Sequence, residues 1–308
     1  MKLAAILLLA AHSAMAWNSA GHRTIAYIAF KSLTAAEREK VAALLKDHPE
    51  FAGFDGVETI MKASVWPDEI RGDKRFHDES RSSVKTLEPY DPRLPDAAVH
   101  ASWHYINLPL VGENLRRLAV GPGTAYRNGQ TILERISTLQ TEMADPRFRA
   151  YRLSWLTHLV GDLHMPLHAV AHVTAAAPRG DQGGNLFKIE PFRNAVIKRS
   201  SANLHSFWDS ALGQDDSTAA VSALGDRLRK RYRKPSAAAL GGVEKWFNES
   251  ATVARRFVYP KLAGAAKGPG GLPIVPETYF IDANKIAEKR AAYAGYRLAA
   301  MLRKLVGP

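Results

Sequence analysis

His158 and Asp162 stand four residues apart in Thr157-His158-Leu159-Val160-Gly161-Asp162-Leu163-His164-Met165-Pro166-Leu167-His168, and so do His205 and Asp209 in Asn203-Leu204-His205-Ser206-Phe207-Trp208-Asp209. On a helix that spacing puts both side chains on one face, where they can reach one metal ion. A single His/Asp pair reads most simply as a hydrogen-bonded couple on a helix surface. Two pairs, with His168 just beyond, favour metal. Imidazole and carboxylate donors without a thiolate suit zinc at a catalytic site, where a position stays open for water. Ligand type alone leaves manganese and iron open.

Such residues need a helical frame, and the sequence supplies one. Thr34 followed by Glu37 resembles a capping box, and Val41, Leu44 and Leu45 behind it keep helical spacing. Ile25, Ile28 and Ala29 do the same for a helix beginning near His22. Further apolar stripes run through Ile132, Ile136, Leu139 and Met143, and through Leu298, Met301, Leu302 and Leu305. Pro166 ends or bends the helix that carries His158 and Asp162. Only Asn185–Ile189, after Gly183-Gly184, has the look of a short strand, one arm of a hairpin whose other arm is Ala195 to Lys198. No Gly-rich phosphate loop follows a strand, which argues against a doubly wound sheet. The expected fold is mainly α, one compact multi-helix domain over residues 17–308 with a small β-hairpin.

The first residues read differently. Met1 and Lys2 precede an apolar run from Leu3 to Ala11, and Ala14-Met15-Ala16 stands ahead of Trp17. This is the layout of a cleavable secretory signal over residues 1–16, with a run too short to span a bilayer. The expected product is secreted or periplasmic, with no stable membrane association. It contains no cysteine, so rigidity must come from the core or from metal. The 42 basic against 30 acidic side chains leave +12, which draws polyanions such as nucleic acid or anionic lipid without choosing between them.

His-x-x-x-Asp-x-His-x-Pro-x-His followed by Asn-Leu-His-x-x-Trp-Asp resembles the type I single-strand nuclease family, the S-one/P-one trinuclear zinc nucleases, which are distantly related to the zinc phospholipases C. The likeness runs from Trp17 to the final helix. It implies three zinc ions. Asp68 in Trp66-Pro67-Asp68 and His104 in Trp103-His104-Tyr105 would join His158 and Asp162 around one of them. His168, His205 and Asp209 would hold a second. The third would sit on His22, on Asp162 acting as a bridge, and on the free amine and carbonyl of Trp17. An α-amine, with a pKa of about 8, gives up its proton to a metal more readily than a lysine does. Signal cleavage at Ala16 would therefore complete the site.

The same resemblance implies an activated water attacking phosphorus in line, products bearing 5′ phosphates, and single-stranded DNA and RNA as substrates. It leaves 3′-nucleotidase action, base preference and activity on duplexes open, and implies no obligate protein partner. Arg71 stands where the family commonly has a lysine near the phosphate. Tyr105 would offer an aromatic wall. Asn107 replaces a family carboxylate that reads a base edge, and Asn185 would line the same pocket. The loop from His172 to Asp181 is long for the family.

The other histidines take plainer readings. His48 lies in a loop beside Pro49, His77 and His172 belong to the surface, and His100 and His164 make core or surface hydrogen bonds. The run Arg227, Arg229, Lys230, Arg231, Arg233 and Lys234 reads as a solvated helix face that also draws polyanions. Two rival functions stand beside the nuclease: a zinc phospholipase C, and a non-catalytic secreted zinc protein that binds polyanions. Asp209, where the phospholipases use glutamate, and the Trp17-to-His22 spacing disfavour the first. Positions left open for water disfavour the second.

Overall fold

From Ala150 to His164 every residue of one helix except Arg152 is buried, so this segment is enclosed on all sides and carries its polar residues into the core. A computed structural model describes residues 17–73, 76, 100–117 and 130–307. The expected signal segment 1–16 and His77 lie outside the described residues. In chain order the helices are α1 (Ser19–Lys31), α2 (Ala35–Lys46), α3 (Val57–Glu69), α4 (Ile132–Glu142), α5 (Arg149–His164), α6 (Leu204–Asp209), α7 (Thr218–Arg231), α8 (Ala237–Leu240), α9 (Val243–Val253) and α10 (Glu277–Val306). The strands are β1 (Leu108–Val111), β2 (Arg116–Arg117), β3 (Val170–Val173), β4 (Lys188–Phe192) and β5 (Ser201–Asn203). The domain is mainly α. Around α5 pack α2, α3, α4, α9 and α10, while α1 packs on α3, α7 and α10.

Local chemistry sets the helix ends that matter. Thr34 and Glu37 form the expected capping box of α2, and Thr131 with Glu134 forms another on α4. Asn18 caps α1 by accepting from the Gly21 amide at 3.1 Å. Pro166 stops α5: Met165 before it is extended, at φ −82° and ψ 120°, and a short 3₁₀ turn, Pro166–His168, follows. That turn swings His168 back toward the face from which Asp162 projects.

Two small sheets then align the loops. In the first, ordered β2-β1-β3, β1 runs parallel to β3 with Leu108 opposite Val170, and antiparallel to β2. This sheet is absent from the sequence reading, because strands of four and two residues are too short to show a period. The hairpin is present, but its arms are β4 and β5 rather than 185–189 and 195–198. The Asn194 side chain accepts from the amides of Val196 and Ile197 at 2.9 and 2.8 Å, so the segment assigned to the second arm is the turn itself. Among the described residues no helix is long and apolar enough to cross a membrane.

One largely buried ion cluster holds α5, α9 and α10 together. Arg297, on α10, gives Nη1 to Glu249 at 2.7 Å and to His164 Nε2 at 2.8 Å. Arg290 reaches Glu249 at 2.6 Å and the His164 carbonyl at 3.1 Å. His164 donates Nδ1–H to the Val160 carbonyl, and burial and the two guanidiniums hold its pKa well below the ordinary value. The expected hydrogen-bonding role for His164 is met in the core. Burial opposes ionisation of Glu249, but Arg297 and Arg290 outweigh it and lower its pKa. A carboxyl with a lowered folded-state pKa stabilises the fold above its unfolded value, here 4.5, and that contribution is lost as pH falls through the folded value. Glu249→Gln should cost about 1–3 kcal/mol at neutral pH, since it removes the carboxylate charge facing two buried guanidiniums while Glu249 itself is 31% exposed to screening solvent. Urea unfolding should show the gap to the parent protein closing as pH falls below 4.5.

Candidate metal centre

Four elements converge on the Asp162 carboxylate. His158 and Asp162 come from α5, Asp68 from the last turn of α3, His22 from the first turns of α1, and His104 from the 3₁₀ turn Ala101–His104. All five are buried. Asp162 Oδ2 lies 3.0 Å from His104 Nδ1 and 3.2 Å from His158 Nε2, and those two ring nitrogens are 3.0 Å apart. Asp68 Oδ1 is 3.9 Å from His104 Nδ1 and 3.8 Å from His158 Nε2. A zinc at about 2.0–2.1 Å from four donors sets tetrahedral edges of about 3.4 Å. The observed separations bracket that edge.

The other oxygen of Asp162 faces elsewhere. Oδ1 lies 3.1 Å from His22 Nε2, and neither atom has a well-formed hydrogen bond to any other group. Asp162 therefore presents one oxygen to the His104/His158 side and one to the His22 side. A further group is built beside it, with His168 Nε2 3.3 Å from His205 Nε2, and His205 Nε2 3.6 Å from Asp209 Oδ1. Asp209 Oδ1, Asp68 Oδ1 and Asp162 Oδ1 are buried and make no well-formed hydrogen bond, although His205, Arg71 and His22 nitrogens stand 3.6, 3.3 and 3.1 Å from them. Three groups of side chains are thus placed to hold metal: His104, His158 and Asp162; His168, His205 and Asp209; and His22 with Asp68 and His158. The last differs from the expected set of His22, Asp162 and Trp17. The shorter His22–Asp162 separation favours the expected pairing, and the first and third groups share His158 in any case.

Backbone carbonyls orient the rings. His158 Nδ1 donates to Ser64 O at 2.8 Å, His168 Nδ1 to His104 O at 2.6 Å, and His205 Nδ1 to Gly183 O at 2.7 Å. Each bond fixes the tautomer that leaves Nε2 bare toward the cluster. The β1–β3 ladder continues into this region, with Ile106 N bonded to His168 O at 2.8 Å, which joins the His104 and His168 segments.

Electrostatics points the same way. Burial and Arg71 push His104 down to about 3. Burial also lowers His22, helped by His158, and lowers His168. His158 rises, because Asp162 and Asp68 outweigh its burial. His158 and its neighbours hold Asp162 far below the usual carboxylate range against the effect of burial, whereas burial, Asp68 and Asp162 push Asp209 well above it. Mostly neutral imidazoles around an excess of buried negative charge are what a divalent cation needs. The residues fit a metal.

Trp17 is fully buried, and its indole Nε1 donates to the Gly161 carbonyl at 3.1 Å. Asn18 ties it down, with its amide bonded to Asp209 O at 3.2 Å and its Nδ2 to Gly213 O at 2.7 Å. Arg71 stands beside the cluster, Nε 3.3 Å from Asp68 Oδ1. Tyr105, next to His104, is 37% exposed, Asn107 is half-buried, and Asn185 bonds to the Gln182 carbonyl in the turn after Gly184. The plainer histidines lie largely within the protein, and His100 makes a core hydrogen bond as expected, to Tyr151 Oη at 3.2 Å. His48 is wholly buried and stacks on Phe51, because the loop folds under Trp66, and His100 is buried with its ring stacked 3.7 Å from Trp103. His172 is half-buried.

A sequence profile of the S1/P1 nucleases matches residues 17–307. The chain belongs to the S1/P1 nuclease family. It is similar to Endonuclease 2 of Arabidopsis thaliana, at 26% identity over 98% of this chain and 94% of the relative. Endonuclease 4 and Endonuclease 5 of the same plant are 23% and 24% identical, each over 96% of this chain and over 90% and 92% of the relative. S1/P1 membership makes the protein a hydrolase of phosphodiester bonds with nucleic acid as its substrate, which selects the nuclease over the phospholipase and the non-catalytic binder.

Two glycines of this S1/P1 site, Gly161 and Gly21, carry no chemical signal in the sequence. A Cβ on Gly161 would stand 2.8 Å from His22 Nδ1, and one on Gly21 2.7 Å from the Trp17 Cβ. Only a spacing argument from His22 back to α5 would have exposed them. Gly161→Ala should raise the intrinsic helix propensity of α5 by up to about 1 kcal/mol, yet displace His22. Metal analysis should find less bound metal, and nuclease assays an activity about 10–100-fold lower. Unchanged metal content would show that His22 is not held as described.

Proposed function

We propose that this S1/P1 nuclease is a secreted three-zinc endonuclease that cleaves single-stranded DNA and RNA to products bearing 5′ phosphates. The observation that carries the reading is Asp162, fully buried, with Oδ1 toward His22 and Oδ2 toward His104 and His158. Asp68, His104, His158 and Asp162 would hold one ion. His168, His205 and Asp209 would hold another. His22, the remaining oxygen of Asp162, and the amine and carbonyl of Trp17 would hold the third. Bound zinc supplies Lewis-acid charge at the phosphate and an activated water near neutral pH.

The chain's own groups do the rest. Arg71, largely buried beside Asp68, offers a guanidinium to the charge that grows on the phosphate oxygens. Tyr105 gives an exposed ring for a base to stack on, and Asn107 and Asn185 give amides that both donate and accept along a base edge. A net charge of +12 draws the polyanion to the molecule. Removal of residues 1–16 as a secretory signal frees the Trp17 amine, and the buried, anchored Trp17 ring supports its place beside Asp162.

Protein beginning at Trp17 should carry three zinc ions, lose cleavage with EDTA and regain it with zinc. Protein retaining residues ahead of Trp17 should lose one ion and most activity. Full activity with three ions in that longer form would sink the terminal-amine ligand. Arg71→Ala should lower kcat by about 10²–10³ with zinc content unchanged. Product analysis on single-stranded DNA and RNA checks the cleavage direction, and 3′ phosphates would contradict it.

A further inference from the structure

The turn that receives His205 is anchored by a carboxylate outside the proposed ligand set. Asp181 is 4% exposed, and the polar groups bonded to its carboxylate are donors. Its Oδ1 accepts from the His172 amide at 2.8 Å, and Tyr259 Oη reaches Oδ2 at 2.9 Å and Oδ1 at 3.2 Å. Its main chain is also tied, through Asp181 N to His172 O and Leu186 N to Asp181 O, both at 3.0 Å. Tyr259 is itself buried at the end of a π-helical turn, Ala254–Val258, that follows α9.

Between these anchors the chain passes through Gln182, Gly183 and Gly184, all at positive φ. A Cβ on Gly183 would lie 2.3 Å from the Leu167 carbonyl, so the turn is pressed against the segment that carries His168. The turn holds His205 through two carbonyls: Gly184 O accepts from the His205 amide at 3.3 Å, and Gly183 O, which alone reaches the ring, accepts from Nδ1–H at 2.7 Å. His205 Nε2 is thereby aimed at His168 and Asp209.

We infer that Asp181, braced by Tyr259, is a positioning residue that sets the Gly183 carbonyl and through it the affinity of the His168/His205/Asp209 group for its ion. The inference rests on the proposed zinc reading, and it assigns the two residues no contact with substrate. Carboxylates that support a ligand histidine through hydrogen bonds are ordinarily worth about 10–100-fold in metal affinity. Here the support passes through a peptide group.

The test is zinc retained per chain across a chelator series, on the zinc-loaded protein. Asp181→Asn should release one ion at about 10–100-fold lower chelator strength and leave the others unmoved. Activity should fall alike and return with excess zinc. Tyr259→Phe should shift the same release in the same direction by less, and it decides alone if Asp181→Asn does not fold. Against a His205→Ala background, Asp181→Asn should have no further effect on the remaining ions. Release unchanged for every ion overturns the inference. So does earlier release of all ions together with a lower unfolding midpoint, the signature of general destabilisation. Unsubstituted protein that takes up no zinc overturns the zinc reading itself, and this inference with it.

Discussion

A fully buried carboxylate at the centre of the molecule is the constraint on which the rest depends. Asp162 projects from a helix enclosed on all sides, and burial of an ionised carboxylate is costly unless it is paired. Both of its oxygens are surrounded by imidazole nitrogens drawn from α1, α5 and the turn before β1. Those imidazoles must also be mostly neutral, since burial lowers His22 and His104. The pairing is therefore incomplete within the protein alone. The fold tolerates it because α5 is held elsewhere, by Arg290 and Arg297 on its last turn.

Close approach follows from this constraint. For His22 and His158 to stack at 4.0 Å between ring centroids with Asp162 beside them, α1 and α5 must come nearer than a side chain at position 161 allows. Glycine there, in the last turn of a buried helix, gives up helix propensity for space. The cost is of order 1 kcal/mol, small against the several kcal/mol at stake in a buried cluster of charges.

The parts of this arrangement legible in the sequence are those encoded locally. His158/Asp162 and His205/Asp209 reveal themselves by helical spacing, Pro166 by its lack of an amide, and Thr34/Glu37 by a capping pattern. The convergence of Asp68 and His104 on them came only through likeness to a family, because no spacing links α3, the turn before β1, and α5. The parallel β1–β3 pair was illegible for the same reason: residues some sixty positions apart meet through strands only four residues long. Asn194 turned the expected second hairpin arm into the turn, a side-chain bond that outweighs local β propensity. His48 lies in the loop beside Pro49 as its sequence implies, but its burial by aromatic packing under Trp66 has no local signal.

Charge distribution resolves an apparent contradiction between the whole chain and its site. The chain carries +12, yet the cluster gathers Asp68, Asp162 and Asp209 with Arg71 as the nearby guanidinium. A phosphodiester brought in by the long-range field would meet a carboxylate-rich centre that repels it at close range. Attraction and chemistry thus require opposite local signs until divalent charge enters the cluster. Burial sharpens this, since burial and the other two carboxylates together outweigh Arg71 and raise the Asp209 carboxyl well above its ordinary range. Metal occupancy and substrate binding are then linked by mass action rather than by shape, because the same positive charge that satisfies the aspartates is what makes the cluster attractive to phosphate.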